Sequence, residues 1–587
     1  MNTDKTLDRR TFLAGLASAG LASSVSASSV SAEAATQPAA ACWLDVAAPF
    51  VAVDPSQGLS TSLLLTATCF GGVDGFNNSR DSTEYQILLY DNMGREIPLD
   101  NRGRLDVPAM RPTLLNLQER TGRDSFFGGA KVRVAPSAGQ LPRAGDLFSA
   151  GFVRWDLPSN FDNIHAHPAA PQQMTGQFNY SMPFPALSEY HCAFALFNPG
   201  EEESYGTLRV VDRMGRTVAQ RKYELAPHRT VLFGMDDLRV AETPAEAFAI
   251  APSREPRLRG GGTLVVKNDS PRVAFAYTIM KGRAGNSFTA EHPLHFQADV
   301  PVKPARATPY GPKRSFPAQA FVYTPMLFKG FHVGGLELES RAYLSASRWA
   351  EEALWLLPFV TTGEGTIGWV SNRDEKLADA VAPAALAVDG AVRLTEFQSC
   401  RIDATALPLP DGFAGGFGAA TIPKTSHSLN KIEVRVKNWG RVAFTHFRPG
   451  GAVAKSYRQV EQRGGVASDY IVSGAHLIRG KRDCLLAIMN IEFEEEHTGT
   501  PVVQLFGQTG LVGEKRLNDF APLACQHLLL SELFPGARSE AGQPFTVRMV
   551  VAGAMMIVSA LHIDYERRDI ALEHGSDRHS TFQDFKC

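Results

Sequence analysis

Cys192–Gly215 reads CAFALFNPGEEESYGTLRVVDRMG, and Cys484–Gly510 reads CLLAIMNIEFEEEHTGTPVVQLFGQTG. Each is a short apolar strand, an acidic turn, a second strand and a glycine turn. Side chains alternate along a strand, so Cys192, Phe194 and Leu196 share one face. Asn198-Pro199-Gly200 and Met214-Gly215 carry turn chemistry, as does Asp389-Gly390 further on. Alternation with one apolar face predicts a sandwich of two sheets with solvent outside.

The same plan recurs along the chain. Tyr85–Glu96 (YQILLYDNMGRE) matches Leu208–Thr217 (LRVVDRMGRT) through a shared Asp-x-Met-Gly-Arg turn. Leu264–Phe275 (LVVKNDSPRVAF) matches Val434–Phe444 (VRVKNWGRVAF), with one residue deleted in the turn. Asn163–Pro168 (NIHAHP), Thr289–Pro293 (TAEHP) and Ala571–Gly575 (ALEHG) each close a unit with a histidine. Such self-similarity is the signature of tandem units. The reading is four modules, 40–170, 171–300, 345–460 and 461–587, each of ordinary domain size. The Pro-rich segment 301–344 is read as a linker and connecting stretch. Short strands and frequent turns give an all-β fold class of tandem immunoglobulin-like β-sandwich modules. One helix is expected, at Leu344–Leu357 (LSASRWAEEALWLL).

Composition agrees with several cores. The chain has 587 residues, 44% of them hydrophobic, more than a single core holds. Lys+Arg (59) nearly balances Asp+Glu (61), so no global field draws nucleic acid or anionic lipid. The apolar run Met549–Ile563 is shorter than a bilayer span and repeats Val265–Ile279, so it reads as two core strands around a turn.

The N-terminus carries an address. Arg9 and Arg10 are followed by Thr11, Phe12 and Leu13, then by an Ala-, Gly- and Ser-rich apolar stretch to about Val30 and small-residue cleavage sites at Val30–Ala34. Residues 1–34 resemble a twin-arginine export signal. That resemblance implies transport of the folded chain by the twin-arginine translocase to the periplasm or beyond. Cargo of this route often carries a cofactor loaded in the cytoplasm.

Candidate sites are sparse. His165-Ala166-His167 is the most metal-like cluster, because i and i+2 residues of a strand face the same way and two imidazoles then share one ion. Asp156 and Asp162 are candidate oxygen ligands beside it. His292, His295 and Glu291, and His574, His579, Glu573 and Asp577, read as solvated loop clusters, and His446 reads as a strand residue. Gly363–Gly368 matches G-x-G-x-x-G but is followed by a strand instead of a helix, so it reads as a turn. No C-x-x-C or G-x-S-x-G occurs. The seven cysteines read as thiols packed like small hydrophobes. No cofactor is expected, a divalent metal being the alternative. The function expected is a non-catalytic binding or structural role toward a protein or glycan partner, and the alternative is a metal-dependent enzyme with its site between modules.

Overall fold

The computed structural model describes residues 44–67, 82–134, 152–158, 161–165, 167–168, 178–248, 255–270, 275–282, 288–292, 294–297, 320–346, 354–370, 377–378, 392–422, 430–449, 466–492 and 497–577. The export segment, with Arg9, Arg10, Phe12 and Leu13, lies outside them, as do Cys42, Cys69 and Cys587. Cys192, Cys400, Cys484 and Cys525 are free thiols.

Four successive stretches each contribute nine principal strands. The first holds β1 (Leu44–Val53), β2 (Ser60–Leu65), β3 (Ser82–Asp91), β4 (Arg104–Pro108), β5 (Thr113–Asn116), β6 (Phe126–Val134), β7 (Phe152–Asp156), β8 (Phe161–His165) and β9 (His167–Pro168). The second holds β10 (Phe178–Phe184), β11 (Tyr190–Phe197), β12 (Ser204–Asp212), β13 (Thr217–Leu225), β14 (Thr230–Gly234), β15 (Gly262–Asn268), β16 (Phe275–Gly282), β17 (Phe288–Glu291) and β18 (Leu294–Gln297). The third holds β19 (Ala320–Val333), β20 (Leu336–Ser345), β21 (Leu354–Thr361), β22 (Ile367–Val370), β23 (Ser399–Asp403), β24 (Phe413–Ile422), β25 (Lys431–Val436), β26 (Arg441–His446) and β27 (Arg448–Pro449). The fourth holds β28 (Val466–Ala475), β29 (Arg482–Asn490), β30 (Thr500–Gly507), β31 (Gly510–Arg516), β32 (Cys525–Leu529), β33 (Phe545–Ala552), β34 (Met556–Asp564), β35 (Asp569–His574) and β36 (Ser576–Asp577).

Equivalent strands therefore differ by nine in number, and the sheet order repeats. In every unit the ninth, first, sixth, third and fourth strands form one antiparallel sheet, and the fifth, second, seventh and eighth form the other. In the third unit the β19–β20 hairpin, turning on Gly334 and Gly335 at positive φ, joins both layers into a single eleven-stranded sheet. The Asp-x-Met-Gly-Arg turns occupy the same corner of the first two units. Asp91 Oδ1 accepts from the backbone N–H of Met93 and Arg95, and Asp212 Oδ1 accepts from Met214 and Arg216.

Three expectations need correcting. The stretch assigned to a linker and a helix is strand at both ends: β19 and β20 fill Ala320–Ser345, and β21 begins at Leu354, while 301–319 and 347–353 lie outside the described residues. The stretch forms a β-strand paired on both edges, and Leu356, Leu357, Phe359 and Val360 on it are buried. Second, the two Val-Lys-Asn strings are one strand apart. Lys267 is on β15, a sixth strand, and Lys437 follows β25, a seventh. A strand leaving the core for a turn meets the same demands at either place, so similar strings arise without equivalence.

Third, the two sheets are not alike. Third strands alternate as expected: Leu505 and Val503 of β30 are buried while their neighbours are half-exposed. Second and seventh strands are buried on both faces, along nearly all of β29 and β34. The reason is packing between units. Ala193, Leu232, Tyr277 and Phe288 of the second unit join the core of Phe50, Trp155 and Tyr85 in the first. Tyr343 and Phe444 of the third join the core of the second, and Leu485, Leu561 and Leu572 of the fourth join the core of the third. The inner sheets of the second, third and fourth units are thus each covered by their own outer sheet and by the preceding unit. The uninterrupted runs CAFALF and CLLAIM are the sequence form of that double burial.

The eighth strands close the arrangement. β8 packs on β17, β17 on β26, β26 on β35, and β35 back on β8. No hydrophobic cluster among the described residues spans the fourth and first units, and their seam is polar. Asp156 is held by Arg154 at 2.9 Å and by Arg567 of the fourth unit at 2.8 Å. Asp569 Oδ2 accepts from Phe161 N at 2.7 Å. His476 and His562 are buried at this seam, and burial, followed by the charge of Arg154, depresses both, His562 to about 3. Burial raises Asp569 to about 7, which works in the opposite sense. A histidine depressed on folding contributes stability above its ordinary value near 6.5 that is lost as pH falls toward the folded value. With Asp569 offsetting part of the histidine contribution, and buried His527, depressed to about 4, adding to it, stability is expected to fall as pH drops below about 6.5. Urea midpoints at pH 7, 6 and 5 check this, and equal midpoints contradict it.

Candidate metal centre

The ring of eighth strands brings three histidines together. His446 and His574 are the last residues of β26 and β35, and His292 follows β17 directly. Their ligand nitrogens all lie within 4.8 Å of one another, and all three side chains are buried. The rings meet edge to face, with centroids 4.5 Å apart for His292–His446, 4.1 Å for His446–His574 and 5.8 Å for His292–His574. Each comes from a different unit.

The ε nitrogens of His574 and His292 are turned toward each other. His574 Nδ1 lies 3.2 Å from the Gly575 carbonyl and donates to it, which leaves the lone pair on Nε2. That Nε2 is 3.5 Å from His292 Nε2. His446 Nδ1 faces Glu291 Oε2 at 3.6 Å. A carboxylate or carbonyl behind the δ nitrogen, with the ε nitrogen forward, is how proteins orient histidines that bind metal.

Glu291 is also the electrostatic anchor. It is buried, 3.8 Å from the equally buried Lys431 Nζ on β25. Burial raises the Glu291 carboxyl and lowers the Lys431 ammonium, and each partner's charge opposes that effect on the other. The pair ties the second unit to the third beside the histidines. At the next junction Arg441 Nε donates to the Arg568 carbonyl at 3.0 Å and faces Asp569 at 3.6 Å. Between the first and second units Asp162 Oδ2 accepts from Ala290 N at 2.5 Å.

Three buried imidazoles converging in this way suit a borderline divalent transition ion, for which nitrogen is a preferred ligand. Compared with known proteins, the chain matches no family model and no curated sequence. The centre has to be read from its own chemistry.

The residues singled out in the sequence divide as follows. His165 closes β8 opposite Phe152, and His167 opens β9 opposite Ala47; the description of both stops at the backbone. Asp156 and Asp162, considered as oxygen ligands beside them, are instead committed to Arg154 and Arg567 and to the Ala290 amide. His295 lies on β18 opposite Tyr180, and His579 lies outside the described residues. His292 and His574, read as loop residues, are buried, and so is His446. Grouping histidines by nearness in sequence missed the site, because its members are more than a hundred residues apart. The available signal was positional: a histidine ending the same strand of successive units.

Proposed function

We propose that the protein is an exported, non-catalytic scaffold of four β-sandwich units clamped by a buried divalent transition ion, with a binding or structural role in the periplasm or at the cell surface. The observation that carries this is the convergence of His292, His446 and His574 from three units within 4.8 Å. The burial of all three favours a structural ion, since a catalytic one keeps a coordination position open to substrate. A folded, metal-loaded body also suits the export route that the Arg9-Arg10 segment resembles. Elemental analysis of protein purified after export tests the reading: about one equivalent of zinc, copper or nickel per chain is expected, and metal-free protein that takes up none of these ions overturns it.

Export itself gives a separate prediction. Replacing Arg9 and Arg10 with lysine is expected to hold the precursor in the cytoplasm, as fractionation and blotting would show. Undiminished export would remove the twin-arginine assignment while leaving the metal centre untouched.

A further inference from the structure

Nine strands per unit and one sheet order allow residues to be compared across units by register, and the comparison reaches a residue outside the three-histidine cluster. In the inner sheets, His446 pairs with Lys431 on the seventh strand, which pairs with Tyr343 on the second. His574 pairs with Ser559, which pairs with Ala487. His292 follows Glu291, which pairs with Thr278, so its row continues through Tyr277 to Ala195. In the first unit the same row is Leu64, Phe152 and His165. The outer sheets give an independent count. The ninth strand starts two residues after His446, at Arg448, and two after His574, at Ser576; it starts two after His292, at Leu294, and two after His165, at His167. Both registers place His165, and not His167, at the position held by the other three.

The ring contacts lead to the same residue. The three imidazole centroids form a nearly right-angled triangle with its corner at His446, the distances 4.5 and 4.1 Å being the sides and 5.8 Å the diagonal of a square. The open corner lies between His574 and His292. In the cyclic order of eighth strands that corner belongs to β8, which packs on both β35 and β17 and ends at His165.

We propose that His165 is the fourth ligand, completing a four-histidine centre with one imidazole from each unit. This rests on the metal reading above and deepens it: the site is closed and all-nitrogen. It also gives the first unit a tie across the seam to the fourth, where the described residues share no hydrophobic cluster.

The test uses mature protein, stripped with a chelator and reloaded with zinc alone or with Cu(II) alone. Zinc affinity is read by competition with a chromogenic chelator, and the number of coordinated imidazole nitrogens by electron paramagnetic resonance of the Cu(II) form. His165→Ala is expected to weaken zinc binding at least about tenfold and to remove one nitrogen from the count, with His165→Asn doing the same and His167→Ala changing neither. Circular dichroism of the metal-free forms checks that each variant is folded; if His165→Ala is not, His165→Asn carries the test. If both His165 variants bind zinc like wild type with an unchanged nitrogen count while His574→Ala loses the metal, the fourth ligand is something else and the three-histidine centre stands. Weakening by His167→Ala equal to that by His165→Ala overturns the register argument. Wild-type protein that binds neither ion overturns both readings.

Discussion

Replacing His574 with alanine is expected to reduce metal content from about one equivalent to none and to make the protein indifferent to chelators. His574 is bound into the centre on both sides: its ring packs on His446, its Nε2 lies 3.5 Å from His292 Nε2, and the Gly575 carbonyl fixes its tautomer. Its loss removes one of the three described ligands and leaves a gap in a buried site, so the affinity falls below what keeps an ion through purification. An ion bound only by the native state stabilises it by about 4 kcal/mol when its concentration is a thousand times the dissociation constant. Wild-type protein should therefore show a clear fall in its thermal midpoint when a chelator is added, and the variant should start from the lower value and not move. A wild-type midpoint insensitive to chelation would show that the histidines are held together by their own hydrogen bonds and packing.

Replacing Arg548 with alanine is expected to cost about 3–5 kcal/mol. Arg548 on β33 makes a two-pronged bond to Asp469 on β28, Nε to Oδ1 at 2.9 Å and a terminal nitrogen to Oδ2 at 2.9 Å. Both side chains are almost wholly buried between strands of the fourth unit's outer sheet. The cost comes mostly from the carboxylate left behind without its partner in a poorly solvated place. Removing both charges together, as Arg548→Met with Asp469→Leu, should return much of the loss, since a well-packed apolar pair avoids the desolvation penalty. Urea midpoints of the two variants check the pattern. A single variant as stable as wild type, or a double variant worse than the single, contradicts it.

Strand identity was legible because it is written locally. Val-rich runs bounded by turn residues, such as LRVVD and PVVQLF, specify a strand without help from distant residues, and Asp91-x-Met-Gly-Arg specifies its own turn through two backbone bonds to one carboxylate. The helix assigned at Leu344–Leu357 shows the limit of such reading. An apolar run that both a helix and a doubly covered strand can bury takes its form from whatever lies beside it, and here that is β24. The Val-Lys-Asn strings show the converse, since equal local demands produced equal words at positions that are not equivalent.

By itself, the sequence determined that the chain is built of strands, where many of its turns fall, and that the first, second and fourth units end in a histidine. All of these follow from contacts between near neighbours, which residue spacing records. Tertiary structure alone decided that inner sheets are buried on both faces, that the eighth strands close into a ring, and that His292, His446 and His574 meet. Convergence of this kind depends on the relative placement of whole units, which the packing of hundreds of side chains fixes, and no spacing between residues so far apart along the chain encodes it.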